Sequence, residues 1–394
     1  MHMQRRQVIG AAIGGAFAAA LAPQGAARAA EAPLAEKFVK PTADKPLLAC
    51  FNENPLGLSM EARAAVAKSA AVCNRYPFAR AEALRKACAD FVGGKPEEIV
   101  LSQGSAEAIR ASVESYAHEP GATLIIPELT YSDGEMAAKR NGMPVVKVKM
   151  GKNWSIDIPA MRAAAAEAAK KGMAVVYFVN PNNPTSTIAD TNQLFDWIRS
   201  QPKNTVFLMD EAYGEFVVDP NWKSTIELVN AGAKNVIVLK TFSKIFGMAG
   251  LRLGFAYTAS PELHKRVHDH IAYDFFMNTP AIEAALAEIG DLGFLRLSNS
   301  ENKEARKIME DLFKELNLEY LPSQTNFCFF NLKGPLEPFA KAMKAENILV
   351  GRPFPPALTW CRISYVRPQE MQYRQLPAFF YSLPRGSLKT ATVA

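Results

Sequence analysis

From Glu97 onward the chain repeats one pattern: a short apolar run rich in β-branched residues, then a stretch whose apolar positions recur at helical spacing. The runs fall at 99–101, 123–126, 144–148, 175–179, 206–209 and 236–239, and the helical stretches at 106–116, 133–140, 159–170 and 191–200. Such alternation predicts parallel strands joined by crossover helices, hence an α/β fold with a three-layer, mostly parallel sheet. A run at 251–257 reads as antiparallel and closes this region. Beyond it a helix-rich stretch, 280–316, leads into runs at 327–332, 348–350 and 361–365 with a helix over 336–345, which reads as a smaller α+β domain. Residues 31–70 read as an extended arm and one helix joining that smaller domain. The expected division is therefore 1–30, 31–70, 71–280 for the large domain and 281–394 for the small one.

The first thirty residues stand apart. They run from a basic start, Arg5-Arg6, through an Ala/Gly-rich apolar run at 8–22 to Ala27-Arg28-Ala29. This is the order of an export signal, and the paired arginines resemble the twin-arginine (Tat) type. The apolar run is shorter than the ~20 residues a membrane span needs. No stable span is expected once the signal is removed, and the location expected is periplasmic or otherwise exported.

Composition narrows the class. With 394 residues, 49% of them hydrophobic and 21% charged, the chain can bury a full globular core. The net charge of +6 falls to +3 without the three leader arginines, too little to argue for a nucleic-acid partner. The five cysteines form no CxxC pair and no Cys/His cluster, so no metal site is expected.

A sheet of this kind gathers its ligand at the carboxyl ends of the strands, so the loops there are expected to carry the chemistry. The turn at 102–107 places Gly104, Ser105 and Ala106 at a helix N-terminus, whose free N–H groups suit a phosphate or simply make a tight turn. Tyr131 ends the next loop and either stacks on a planar heterocycle or packs inward. The run Asn180-Pro181-Asn182-Asn183-Pro184-Thr185 is a constrained turn that holds Asn183 in one direction. Asp210 ends an apolar strand; it faces a cation or proton donor, or caps the following helix. Lys244 in Thr241-Phe242-Ser243-Lys244 is a candidate amine nucleophile for a Schiff base with an aldehyde. Arg252, eight positions on, can return to the same site as a phosphate ligand.

Taken in order, SQGSAEAI, PELTY, NPNNPTS, DEAY, TFSKIFGMAGLRLG and WCRIS resemble the class I/II, fold-type I pyridoxal-phosphate aminotransferases. Segments ENPLG and RYP make the histidinol-phosphate aminotransferase group the nearest likeness, over nearly all of the chain beyond the leader. The resemblance implies pyridoxal 5′-phosphate as cofactor, bonded covalently to Lys244. It implies that Asp210 pairs with the ring nitrogen, that Asn183 and Tyr213 bind the ring oxygen, and that Tyr131 stacks on its face. Gly104, Ser105, Ala106, Ser243 and Arg252 would hold the phosphate, joined by Tyr76 across a subunit interface, so a homodimer is implied. Arg362 matches the arginine that takes the substrate α-carboxylate, and Asn54 falls on the substrate side. Arg352 either binds an anionic side chain or lies on the surface. The implied reaction is ping-pong transfer of an amino group between an amino donor and a 2-oxo acid. A decarboxylase, lyase or oxidase on the same frame is the alternative. Leu56, Ser186 and Val366 depart from the group's pattern on the substrate side and leave the amino donor open.

Overall fold

The computed structural model describes residues 40–371 except Pro202; the expected export segment, 1–30, and the last stretch of the expected small domain lie outside the described residues. The elements are β1 (Leu47–Ala49), α1 (Met60–Ser69), α2 (Phe78–Val92), β2 (Ile99–Ser102), α3 (Ser105–Ala117), β3 (Thr123–Pro127), α4 (Asp133–Arg140), β4 (Val145–Val148), α5 (Ile158–Ala169), β5 (Ala174–Val179), α6 (Thr191–Arg199) and β6 (Thr205–Asp210). They continue with α7 (Ile226–Asn230), β7 (Val236–Thr241), β8 (Gly254–Tyr257), α8 (Pro261–His268), α9 (Thr279–Glu288), α10 (Leu292–Glu315), β9 (Phe327–Asn331), α11 (Leu336–Ala345), β10 (Ile348–Val350) and β11 (Trp360–Ser364).

Seven strands form the main sheet in the order β2-β8-β7-β6-β5-β3-β4, with only β8 antiparallel to its neighbours. Every residue of β5, β6 and β7 is buried, as a parallel sheet covered on both faces requires. Side chains alternate between two cores: Val176, Phe178, Phe207 and Met209 enter one, and Val175, Tyr177, Val206 and Leu208 the other. Helices close both faces, and several start at side-chain caps, among them Asp157 accepting from Ala160 N (2.9 Å) and Asp190 from Gln193 N (2.8 Å).

Two smaller sheets lie beyond. β1 pairs in parallel with β10, and β9 pairs antiparallel with β11 over a third core that includes Phe313, Phe330 and Ile363. The packing cuts the chain differently from the expected domain limits at 70/71 and 280/281. β1 joins β10 on the small side, whereas α1 packs on α9, and Ala62, Ala281, Ile282 and Ala285 all enter a core of the main sheet. Helix α2 was absent from the sequence expectation. Its buried stripe is Ala81, Leu84, Cys88, Ala89 and Val92, mostly small residues that blur the helical periodicity, and it stops at Gly93 in the left-handed region (φ 73°). The antiparallel run expected from 251 begins as a strand only at Gly254, because Arg252 itself adopts a left-handed conformation (φ 56°).

Candidate active site

The carboxyl ends of β2, β3, β5, β6 and β7 deliver five loops to one edge of the sheet. Asp210 ends β6 and is 2% exposed. In register its side chain falls on the face shared with Tyr177 of β5, whose hydroxyl donates to Asp210 Oδ2 (2.9 Å), while Ala212 N donates to Oδ1 (3.1 Å). Burial pushes its pKa up to about 6; the Tyr177 and Ala212 bonds pull the other way, as does the nearby Lys240 cation. This carboxyl does not cap a helix.

The loop after β5 spends its three amides differently. Asn180 Oδ1 accepts from Ala189 N (3.0 Å), and Asn182 Nδ2 donates to Leu129 O (3.0 Å) and Thr185 Oγ1 (2.9 Å). Asn182 Oδ1 accepts from the Thr130 hydroxyl (2.8 Å), tying this loop to the one that carries Tyr131. Asn183 alone turns inward: its Oδ1 accepts from Arg362 Nη1 (2.7 Å), leaving Nδ2 to donate into the site. Tyr131 is half-buried near Asp210 and Tyr213 and bonds Asp133; burial, then Asp133, holds its phenol well above the ordinary range.

Two lysines flank the end of β7, and only one is free to react. Lys240 is buried, paired with Glu215 and donating to Glu211 O (3.0 Å), so its charge is held in place. Glu211 in turn accepts from Ser224 and Thr225. Lys244 is half-buried, with Nζ 3.3 Å from Phe51 O and 5.6 Å from the centre of the Tyr213 ring.

Arg252 Nη1 reaches Ser243 Oγ (3.3 Å) and Ala249 O (2.9 Å), and its guanidinium lies against Gly104, where any Cβ would collide with it. Gly104 (φ 80°) caps α3, so the free N–H groups at the start of α3, the Ser243 hydroxyl and Arg252 converge. Gly254 permits this closeness, since a Cβ there would stand 2.6 Å from Ser105 N.

On the small-domain side Arg362 donates to Asn183 Oδ1 and, through Nη2, to Cys50 O (2.6 Å), while its buried Nε has no partner. Desolvation lowers its pKa; Tyr213 opposes this and Arg352 adds to it. Arg352 is exposed and lies 4.6 Å from the Phe354 ring centre, with Arg362 at 4.9 Å from the same ring. Asn54 is not presented to the site. Its Nδ2 is spent on Ile245 O (2.7 Å) and Ser298 Oγ (3.0 Å) and its Oδ1 on Leu56 N (3.1 Å), so it ties the 53–57 segment to the loop after Lys244 and to α10. Tyr76 is also away from the site within one chain: it is 73% exposed and stacks on Phe276 at 5.1 Å. Sequence reasoning missed Tyr177, hidden in an apolar strand, and the 50–52 segment, where Cys50 O, Phe51 O and Asn52 Nδ2 contact Arg362, Lys244 and Tyr213 in turn.

The expected cofactor has a basic ring nitrogen, a phenolate oxygen, an aldehyde and a phosphate. Here a buried carboxyl stands apart from any direct ion pair, Asn183 Nδ2 and the Tyr213 hydroxyl each keep a proton that no described group is shown to accept, an amine is half-exposed, and a helix N-terminus converges with a guanidinium and a hydroxyl. The residues present fit that group.

The family model for aminotransferase class I and II matches residues 46–374. A histidinol-phosphate aminotransferase of Brevibacillus brevis is 35% identical over 299 residues, 76% of this chain and 80% of that one. One from Akkermansia muciniphila is 34% identical over 326 residues, 81% and 85% of the two chains. Among solved structures, an Erwinia carotovora atroseptica protein described as a candidate histidinol-phosphate aminotransferase superposes with a TM-score of 0.85 at 42% identity, covering 89% of this chain and all of that one. A Sinorhizobium meliloti histidinol-phosphate aminotransferase solved with pyridoxal-5′-phosphate shares the fold (TM-score 0.75, 23% identity, 87% and 90% covered).

The raised pKa of Asp210 makes a stability prediction for the cofactor-free protein. Its folded carboxyl holds a proton more tightly than the unfolded one, so its contribution is complete below the ordinary carboxyl range and is lost as pH rises through about 6. Asp210→Asn cannot lose it. In denaturant unfolding, the difference in stability between variant and wild type is expected to move by about 2–3 kcal/mol in the variant's favour between pH 4 and pH 8. A difference that stays flat would mean an ordinary carboxyl pKa at this position.

Proposed function

Because this chain belongs to the class I and II aminotransferases and is a pyridoxal-phosphate-dependent transaminase, we propose that Lys244 is its reacting amine and Arg362 its carboxylate anchor. The observation that carries the assignment is the pairing of Arg362 with Asn183. One guanidinium N–H is fixed on Asn183 Oδ1, another on Cys50 O, and the buried Nε has no partner, while among the described residues Lys244, unlike Lys240, is in no ion pair and bonds only the Phe51 carbonyl.

When bound, the cofactor supplies a protonated pyridine ring that accepts the electron pair left as the substrate Cα–H bond breaks. Asp210, held by Tyr177 and Ala212 in a water-poor setting, would keep a proton on the ring nitrogen by its charge. Lys244 Nζ would hold the group through its aldehyde carbon and would serve as the base that moves the substrate Cα proton to that carbon. Arg362 would orient the substrate by its carboxylate and so fix the direction of the Cα–H bond to be broken. The start of α3, Ser243 and Arg252 would hold the cofactor's phosphate, and Tyr131 would lie beside its ring. Arg352, beyond Phe354, suits a second anionic group on the substrate. The 2-oxo acid runs the same proton transfers in reverse.

The chain works as a homodimer in this reading. Tyr76, Phe78, Tyr273, Phe275 and Phe276 form an aromatic cluster whose rings lie 4.5–5.9 Å apart, and Tyr76, Phe78 and Tyr273 are mostly exposed. A second copy covering it supports a Tyr76 that reaches its neighbour's phosphate site. The leader with Arg5-Arg6 supports passage through the Tat machinery to a periplasmic or exported location; among the described residues no helix is long and apolar enough to cross a membrane.

Three outcomes are expected. Wild-type protein loaded with cofactor loses its visible absorption band on mixing with an amino donor and regains it with a 2-oxo acid, whereas Lys244→Ala shows neither the resting band nor turnover. Normal turnover by Lys244→Ala ends the assignment of the amine. Sedimentation gives twice the monomer mass, and Phe276→Arg shifts it toward one; a monomeric wild type sinks the dimer. Replacing Arg5 and Arg6 by Lys moves the protein from the periplasmic to the cytoplasmic fraction, and an unaltered distribution removes the export reading.

A further inference from the structure

Three consecutive residues, Cys50, Phe51 and Asn52, cross from β1 into the active site, and each meets a different working side chain. The first two offer backbone carbonyls. Asn52 offers its side chain, is 1% exposed, and takes up a left-handed conformation (φ 56°), which asparagine adopts more readily than most residues.

We propose that Asn52 is a positioning residue that fixes the direction of the Tyr213 hydroxyl proton, so that Tyr213 donates into the cofactor site. The direction follows from counting protons. Asn52 N, which can only donate, lies 2.8 Å from Ser364 Oγ. The single Ser364 proton therefore goes to its other neighbour, Asn52 Oδ1, also at 2.8 Å. That makes Oδ1 the accepting end of the carboxamide and leaves Nδ2 facing Tyr213 OH at 3.1 Å as a donor. With one lone pair of the phenol filled by this N–H, its own proton points away from Asn52, and no described side chain or carbonyl accepts it. The reversed carboxamide would set Nδ2 against Ser364 and strand the buried serine proton, since Ser364 is also 1% exposed. Asn326 Nδ2 donates to Asn52 O (3.0 Å) and fixes its backbone, and the Phe327 ring packs edge-on against Tyr213 at 5.1 Å and holds the phenol ring. Ser364 stands two residues beyond Arg362 on β11. The strand that carries the carboxylate anchor thus also sets the Tyr213 proton.

The inference rests on the cofactor assignment above. A hydrogen bond donated to the ring oxygen stabilises its anion and lowers the pH at which the bound chromophore gives up its proton. The test is a pH titration of the visible band of cofactor-loaded protein, with the cofactor dissociation constant measured alongside. Asn52→Asp, equal in size, presents an acceptor to Tyr213 and captures its proton; the midpoint is expected to rise by about one unit, in the same direction as Tyr213→Phe. Ser364→Ala, which adds no charge, frees the carboxamide to reverse and raises the midpoint by less. In both, kcat falls while KM for the amino donor stays within about twofold, the pattern of an interaction lost in the transition state alone. In a Tyr213→Phe background the further shift from Ser364→Ala drops below about 0.3 unit, whereas the added charge of Asn52→Asp leaves part of its rise. A midpoint unmoved in Ser364→Ala, or a Ser364→Ala shift of equal size without the Tyr213 hydroxyl, overturns the proposal. Should Asn52→Asp fail to fold, Ser364→Ala and its double variant decide alone. A wild type that stays colourless with added cofactor ends the cofactor assignment, and the inference with it.

Discussion

A carboxyl group at the end of a strand buried on both faces is expensive to ionise, and the site is built around that cost. The register of β5 and β6 brings the Tyr177 hydroxyl to Asp210, and the turn beyond it brings Ala212 N. These bonds satisfy lone pairs but supply no positive charge. The Lys240 cation nearby is already committed to Glu215 and the Glu211 carbonyl, so it moderates the cost without removing it. A cationic ring set against Asp210, as in the proposed reading, would complete the balance. The same low-dielectric setting that penalises the free carboxyl strengthens its attraction for a protonated partner.

The second organising element is the short passage from β1 into the site. Through Cys50 and Phe51 the backbone itself serves as acceptor for Arg362 and Lys244, and Asn52 serves Tyr213. β1 is held by β10 on the small side, while α1 beyond it packs on α9 against the main sheet. The passage is therefore anchored at both ends to different cores. Displacement of one core against the other would be felt at once by Arg362, Lys244 and Tyr213.

Much of this could be read in the residues beforehand, and the exceptions have physical reasons. Strand ends carrying Asp210, Asn183 and Lys244 were readable because buried parallel strands are strongly apolar, so a polar residue at their edge stands out. Helix α2 was not, because alanines and a cysteine form its buried stripe. Tyr177 was not, because nothing in an apolar run marks which ring carries a hydroxyl aimed at a charge one strand away. Asn54 was placed at the substrate by its motif, yet its amide is consumed by Ile245 and Ser298, contacts 191 and 244 residues distant. Local pattern locates the groups; only the closed fold decides which are left unspent. Ser186 illustrates the same limit, a non-glycine held at φ 62° where the resembling family commonly has glycine.

The bond between Asn52 and Ser364 joins residues 312 positions apart, and Arg362 meets Cys50 across the same span. Closing a loop of that length costs chain entropy that only the finished contact repays. A nascent chain leaving the ribosome can assemble the main sheet early, yet it has no complete centre until β11, with Arg362 and Ser364, has been synthesised. Competence for catalysis thus waits for that strand, leaving a polypeptide cut short of it chemically silent.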